Sequence, residues 1–229
     1  MKENSKTSSQ WLQTEMPLGP FVRRLLGPLE KPISIAYRSV FIDLGVLDER
    51  IRCWLPDSEV SRILEVGCGE GMLIELLAKA YPLARIAGID ITPRIGRLFE
   101  GDSDRVTFKR QTIAEFVAEE PSSVDLLILC DVMHHLPPEA HRPLLACASK
   151  AIKRGGFLVL KDWERDISSI HLITYLLDRI GSGDRVVYST PDKYRELIKD
   201  VFGQNCIKNE ARIRPRKNNF VFLAQRQIR

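Results

Sequence analysis

Three glycines at alternate positions, Gly67, Gly69 and Gly71, follow the apolar stretch 62–66, and the carboxylate of Glu65 stands two residues before the first. Glycine admits positive φ and has no Cβ, so such a loop lets a ligand pack directly on backbone. A dinucleotide fingerprint, G-x-G-x-x-G, would need its last glycine where this chain has Met72. A pyrophosphate would also gain nothing from the negative charge of Glu65. Loop and acid together suit a ligand with a cationic amine and no phosphate. Further along, Asp131 and Asp162 close two apolar runs, and His134 and His135 follow the first of them. An unperturbed imidazole titrates near pH ~6.5, which suits a general base. The alternative for the pair is that one histidine caps or packs at the start of the next helix. His141 and His171 read as surface or lid positions.

The elements that must position these groups alternate from residue 61 onward. "RILEV" reads as a buried strand and 70–80 as a helix; "ARIAGID" is a second strand, and "PRIGRLFE" opens a second helix with Pro93 early, where its missing N–H costs little. "RVTF" and "TIAEFVAE" continue the alternation. "VDLLILCDV" is an unbroken apolar run, as expected of a parallel strand covered on both faces. A helix over 138–152 and the strand "FLVLKD" after "RGG" complete a doubly wound α/β pattern. The alternation then stops. Residues 164–190 read as a helical insertion, "PDKYRELIKDVF" as a helix capped by Thr190, and "NCIKNEARIR" and "NNFVFLAQR" as a closing antiparallel pair. Upstream, residues 1–16 read as a flexible tail. Residues 17–57 read as a cap of two short helices carrying Phe21, Leu25, Ile35, Tyr37 and Phe41. The expected organisation is therefore a tail (1–16), a helical cap (17–57) and one α/β domain (58–229). Its sheet is a seven-stranded, mostly parallel one with an antiparallel last strand.

Composition excludes several classes. With 229 residues, 44% apolar and 28% charged, the chain is long enough to bury a core without disulfides. Its five cysteines are odd in number and form no C-x-x-C pair, which argues against a disulfide framework or a zinc site and for a reducing, cytoplasmic setting. No apolar run approaches the ~20 residues of a membrane span. Residues 208–229 carry seven Lys/Arg against one acid. That is either a nucleic-acid or anionic-lipid contact or a solvated strand pair.

Taken together, "LEVGCGEG" at 64–71, the acid Asp90 ending the second strand, "VDLLILCDVMHHLP" and "AIKRGGFLVL" resemble the class I S-adenosylmethionine-dependent methyltransferases. The resemblance spans roughly residues 60–162 and is nearest the small-molecule, ubiquinone/menaquinone-biosynthesis type. It implies S-adenosylmethionine as cofactor and S-adenosylhomocysteine as product. It implies cofactor contacts from Glu65, Gly67, Cys68, Gly69 and Gly71, from Asp90 to the ribose hydroxyls, from Ile91 to adenine, and from Cys130 and Asp131. Two positions depart from the pattern: Arg154 replaces a proline, and Thr112 stands where the family has an aspartate for the adenine amine, leaving Thr112 and the Ile113 N–H to serve. His134 and His135 become the catalytic candidates. Trp163 becomes either a wall of the acceptor pocket or an anchor for the insertion, and Tyr37 either a cover over the ligand or a core residue. Asp131 and Asp162 resemble the magnesium-holding acids of catechol-type enzymes, but Trp163 replaces the asparagine those enzymes place next, so no metal is expected. The expected reaction is methyl transfer to a small, apolar or aromatic acceptor, at a hydroxyl oxygen first and carbon next, by a monomer or homodimer without nucleic acid. The other readings are an RNA methyltransferase using the basic C-terminal strands, and a cofactor-binding protein or cyclase that transfers no methyl group.

Overall fold

A computed structural model of the chain describes Pro32 and residues 42–101, 104–164, 187–214 and 218–228. Seven strands form one sheet: β1 (Arg62–Val66), β2 (Arg85–Asp90), β3 (Val106–Arg110), β4 (Val124–Cys130), β5 (Ile152–Trp163), β6 (Ile207–Ile213) and β7 (Asn219–Gln225). Their order is β3-β2-β1-β4-β5-β7-β6. The first five run parallel, and β7 enters antiparallel to both its neighbours. Strand order therefore reverses between β1 and β4, where ligands of such sheets bind beyond the carboxyl ends. The expected α/β architecture, with its antiparallel closing strand, is the observed one.

Helices cover both faces. On one face Leu64, Leu127, Leu129, Leu158 and Leu160 pack with Phe116 of α3 (Ile113–Glu119), Leu145 of α4 (Pro138–Ala151) and Ile198 and Phe202 of α5 (Pro191–Phe202). On the other, Ile63, Leu126, Ile128 and Val159 meet Leu47 and Ile51 of α1 (Leu44–Trp54) and Ile74 and Leu77 of α2 (Met72–Ala80). Burial on both sides is why β4 reads as an unbroken apolar run. The helix starts follow from local chemistry. Asp43 accepts the Val46 N–H at α1, Thr112 and Glu115 form a reciprocal capping box at α3, and Thr190 accepts from Lys193 at α5.

Three details differ from the sequence expectations. The helix expected over 93–100 does not form; those residues make turns. Gly96, at φ +65, donates its N–H to Gly69 O (2.8 Å), and Leu98 donates to Glu70 O (3.1 Å), so this segment is tied to the glycine loop and keeps only a turn bond of its own, Phe99 N–H to Gly96 O (3.1 Å). The "RGG" turn belongs to β5 as an irregularity, its register slipping between Val124 and Leu126 while Gly155 N–H donates to Arg226 O and Arg226 N–H to Gly156 O. The only helix described in the expected cap is α1, at 44–54. The helix expected around Tyr37, Tyr37 itself, His171 and the body of the insertion (165–186) lie outside the described residues. The ends of that insertion are close, because Glu164 bridges Ser189.

Among the described residues, no helix is long and apolar enough to cross a membrane. Several charges of the basic C-terminal stretch and the helix before it are engaged within the fold: Arg212 pairs with Glu164, Arg195 with Glu210, and Arg226 donates to the Ile152 carbonyl.

Candidate functional site

The glycine loop joins β1 to α2 and is tied to β2. The N–H groups of Gly67 and Cys68 both donate to Ile89 O (2.8 and 3.2 Å). Gly67 sits at φ +74, and a Cβ there would lie 2.5 Å from Val132 Cγ2, so no other residue fits. Gly69 differs: at φ +49 its missing Cβ faces open space, with no atom within 4 Å. The loop thus offers bare backbone to anything placed above it.

Asp90, at the tip of β2, shapes the neighbouring wall. Its Oδ2 accepts the Gly69 N–H (2.8 Å) and its Oδ1 the Thr92 N–H (2.9 Å), which leaves a lone pair on each oxygen. Ile91 beside it is 46% exposed, an apolar surface at the rim. Glu65 is buried beneath the loop. Burial first, then the negative charges of Glu65 and Asp90, push the Cys68 thiol far above its ordinary range, so this sulfur is no nucleophile. On the β3 side the Thr112 hydroxyl is engaged in its helix cap, accepting from Glu115 N and donating to Glu115 Oε2. Ile113 stands at the first helical position, where an N–H has no partner within the helix. Its neighbour Gln111, which sequence reasoning passed over, donates its backbone N–H to Asp90 O and buries an amide nitrogen with no hydrogen-bond partner.

The second half of the site lies at the ends of β4 and β5. Asp162 is fully buried and accepts from His134 Nδ1 at 2.5 Å, His134 N at 3.1 Å and Trp163 N at 2.7 Å. The hydrogen bond assigns the proton to Nδ1 and leaves Nε2 with its lone pair. Burial pushes the His134 imidazole down, but the charge and hydrogen bond of Asp162 outweigh it, and the net direction is up. Burial likewise pushes Asp162 up, and its partners, His134 foremost, bring it below the usual carboxylate range. The two histidines of the motif therefore separate. His134 is buried against Asp162, whereas His135 is exposed, with its ring centroid 4.2 Å from that of His134. The Tyr188 ring stacks on His134 from the returning end of the insertion.

Asp131, directly after β4, takes a left-handed conformation, φ +57. It pairs with Lys161, a buried cation that the sequence reading missed inside an apolar run. Cys130 contributes a thiol 3.8 Å from Asp131 Oδ2. Atoms of Asp131, His134 and Asp162 lie within 4.8 Å of one another, a set that could hold a metal ion. The cation already paired with Asp131 there is Lys161. Trp163 is buried, with Lys161 Nζ 5.3 Å from its ring centroid. His141, expected at the surface, is buried: its Nε2 donates to Met133 O (2.7 Å) and Leu136 O (3.1 Å) and ties down the turn that carries His134.

Residues 63–156 match the sequence family described as a methyltransferase domain. The ubiquinone biosynthesis O-methyltransferase of Xanthomonas campestris pv. campestris is 29% identical over 143 residues, covering 61% of this chain and 57% of that protein. The trans-aconitate 2-methyltransferase of Pseudomonas aeruginosa is 32% identical over 136 residues, covering 58% and 48%. The chain thus spans about half the length of the curated relatives it matches. Among solved structures, the pyocyanin biosynthetic protein PhzM superposes with a TM-score of 0.67 at 17% identity, covering 91% of this chain and 61% of that one. Human N-acetylserotonin methyltransferase in complex with its cofactor gives 0.62 at 16% identity, covering 93% and 60%. At such identities these two show the fold alone.

Proposed function

Because the chain carries a class I S-adenosylmethionine-dependent methyltransferase domain, we propose that it transfers a methyl group from S-adenosylmethionine to a hydroxyl oxygen of a small, apolar or aromatic acceptor. The observation that carries this reading is the buried His134–Asp162 pair at the ends of the two strands beyond the glycine loop.

The residues present fit the cofactor. The open face of Gly69, the spare lone pairs of Asp90, the exposed Ile91 and the unpartnered amide nitrogen of Gln111 offer the surfaces and polar groups a nucleoside needs. Glu65, Gly67, Cys68, Gly71, Cys130 and Asp131 would line its amino-acid end, and Ile113, with Thr112 beside it, the adenine end. When bound, S-adenosylmethionine supplies a methyl group on a sulfonium, whose transfer is an in-line displacement that depends on positioning.

The chain's own part is to take the acceptor's proton. His134 Nε2 accepts it as the oxygen becomes nucleophilic, and Asp162 fixes the ring and stabilises the imidazolium that results. Tyr188 and the turn held by His141 limit where the ring can stand. His135, beside it at the surface, and Trp163, at the end of β5, border the acceptor side. Ubiquinone biosynthesis O-methyltransferase, among the relatives, is named for oxygen methylation, which is consistent with a base at this place.

The test is calorimetric titration with S-adenosylhomocysteine, and with NADH in parallel, on the wild type and Asp90→Ala. The expected result is binding of the homocysteine compound alone, weakened tenfold or more by the substitution, about 1.4 kcal/mol. Binding that is absent, or indifferent to Asp90, would sink the assignment.

A further inference from the structure

Asp131 is held twice by one residue. Lys161 Nζ donates to Asp131 Oδ1 at 2.6 Å, and the Lys161 carbonyl accepts the Asp131 N–H at 3.0 Å. The lysine side chain is 0% exposed, and the aromatic face of Trp163 flanks its ammonium. Asp131 is also where the backbone turns left-handed, at φ +57, a region that residues with a Cβ occupy at a cost and that persists only where surroundings enforce it. Directly before it, Cys130 pairs in register with Lys161. Directly after it, Val132 and Met133 lead into the short turn Met133–His135, where His134 gives both its backbone N–H and Nδ1–H to Asp162, the residue next to Lys161. Two consecutive residues of β5 therefore grip the two ends of one excursion from β4.

We propose that Lys161 is a positioning residue: by holding Asp131 in its left-handed conformation it sets the turn that stands His134 over Asp162. The buried cation thus acts on the transfer through the path of the backbone. It need not touch the acceptor. The inference rests on His134 and Asp162 being the transfer pair.

Lys161→Met alone would leave the Asp131 carboxylate without its cation and could unfold the chain. The comparison is therefore drawn between two double variants that carry neither charge, Lys161→Met/Asp131→Gly and Lys161→Met/Asp131→Ala. Glycine takes the left-handed conformation unaided, whereas alanine resists it. The readout is the low-field proton resonance of His134 Nδ1–H against Asp162, assigned by its loss in His134→Gln, with cooperative thermal unfolding as the check on folding. The expected result is a resonance retained in the glycine variant and lost or moved upfield in the alanine variant. Retention in both would overturn the proposal, because the clamp would then be unnecessary. Loss from both, in folded protein, would overturn it too, because the lysine would then act by its charge. Titration of the wild type with S-adenosylhomocysteine separates the two ideas: failure to bind sinks the functional reading, while the clamp stands or falls on the resonance.

Discussion

Asp162→Asn is the sharpest test of the site. The substitution keeps the shape and removes one negative charge from a fully buried position that receives three N–H groups, two from His134 and one from Trp163. An asparagine that keeps its oxygen toward His134 Nδ1 and the Trp163 N–H turns its NH₂ on the His134 backbone N–H, and one turned the other way sets its NH₂ against Nδ1, which then loses its reason to hold the proton. A positioned base contributes about 10²–10⁴-fold to a rate, so kcat should fall at least about 100-fold. The acceptors found by screening with radiolabelled S-adenosylmethionine would serve as substrates. S-adenosylhomocysteine should still bind within about threefold of wild type, since the carboxylate is occupied by His134 and the backbone. Breaking a buried charge pair costs about 3 kcal/mol at the lower end of what is measured, and in a domain of this size about 2–4 °C of melting temperature goes with each kcal/mol. A fall of roughly 6–12 °C is expected.

The pH dependence follows from the same pair. Only the neutral imidazole accepts a proton, and Asp162 raises the His134 pKa above its ordinary value against the effect of burial. The acid limb of the wild-type rate should therefore lie above pH ~6.5, and Asp162→Asn should move it to lower pH. For stability the signs differ between partners. The raised histidine contributes below its unfolded pKa, and that contribution is lost as pH rises through the folded value. The lowered aspartate contributes above its unfolded pKa, and that contribution is lost as pH falls through the folded one. A variant that transfers methyl groups within threefold of wild type, with an unmoved acid limb, would refute the reasoning.

Other substitutions probe the loop and its surroundings. Gly67→Ala combines a positive φ with a Cβ placed 2.5 Å from Val132 Cγ2. The cost should be about 2–4 kcal/mol, read as a melting temperature lower by about 10 °C. Gln111→Ala removes a buried amide nitrogen that has no partner to lose; calorimetry should find S-adenosylhomocysteine bound about 2- to 10-fold more weakly, with stability nearly unchanged. An alkylating reagent at pH 8 should label the exposed Cys53 and spare the buried, acid-flanked Cys68, as peptide mass spectrometry would show. Rapid modification of Cys68 would contradict the burial and charge described for the loop.

What can be read along the chain is local. The glycine loop was legible because positive-φ geometry demands glycine, and the strands and helices because a two-residue or 3.6-residue period repeats within one segment. The cap at Thr190 was legible because donor and acceptor lie three residues apart; that at Thr112, read as an adenine contact, was not. Where neighbours in space override the local pattern, reading failed: residues 93–100 carry a helical sequence yet bond to the loop above β1, through Gly96 and Leu98. How strand ends meet follows from the fold. His134 and His135 are indistinguishable as a dipeptide. One is buried against a carboxylate because β5 lies beside β4 and brings Asp162 across 28 residues of chain. Lys161 hides in an apolar run because its partner, Asp131, is 30 residues away and the pair is buried as a unit. A chemical group's neighbours along the chain fix its element, but its charge state and orientation depend on which strand tips the sheet order sets side by side.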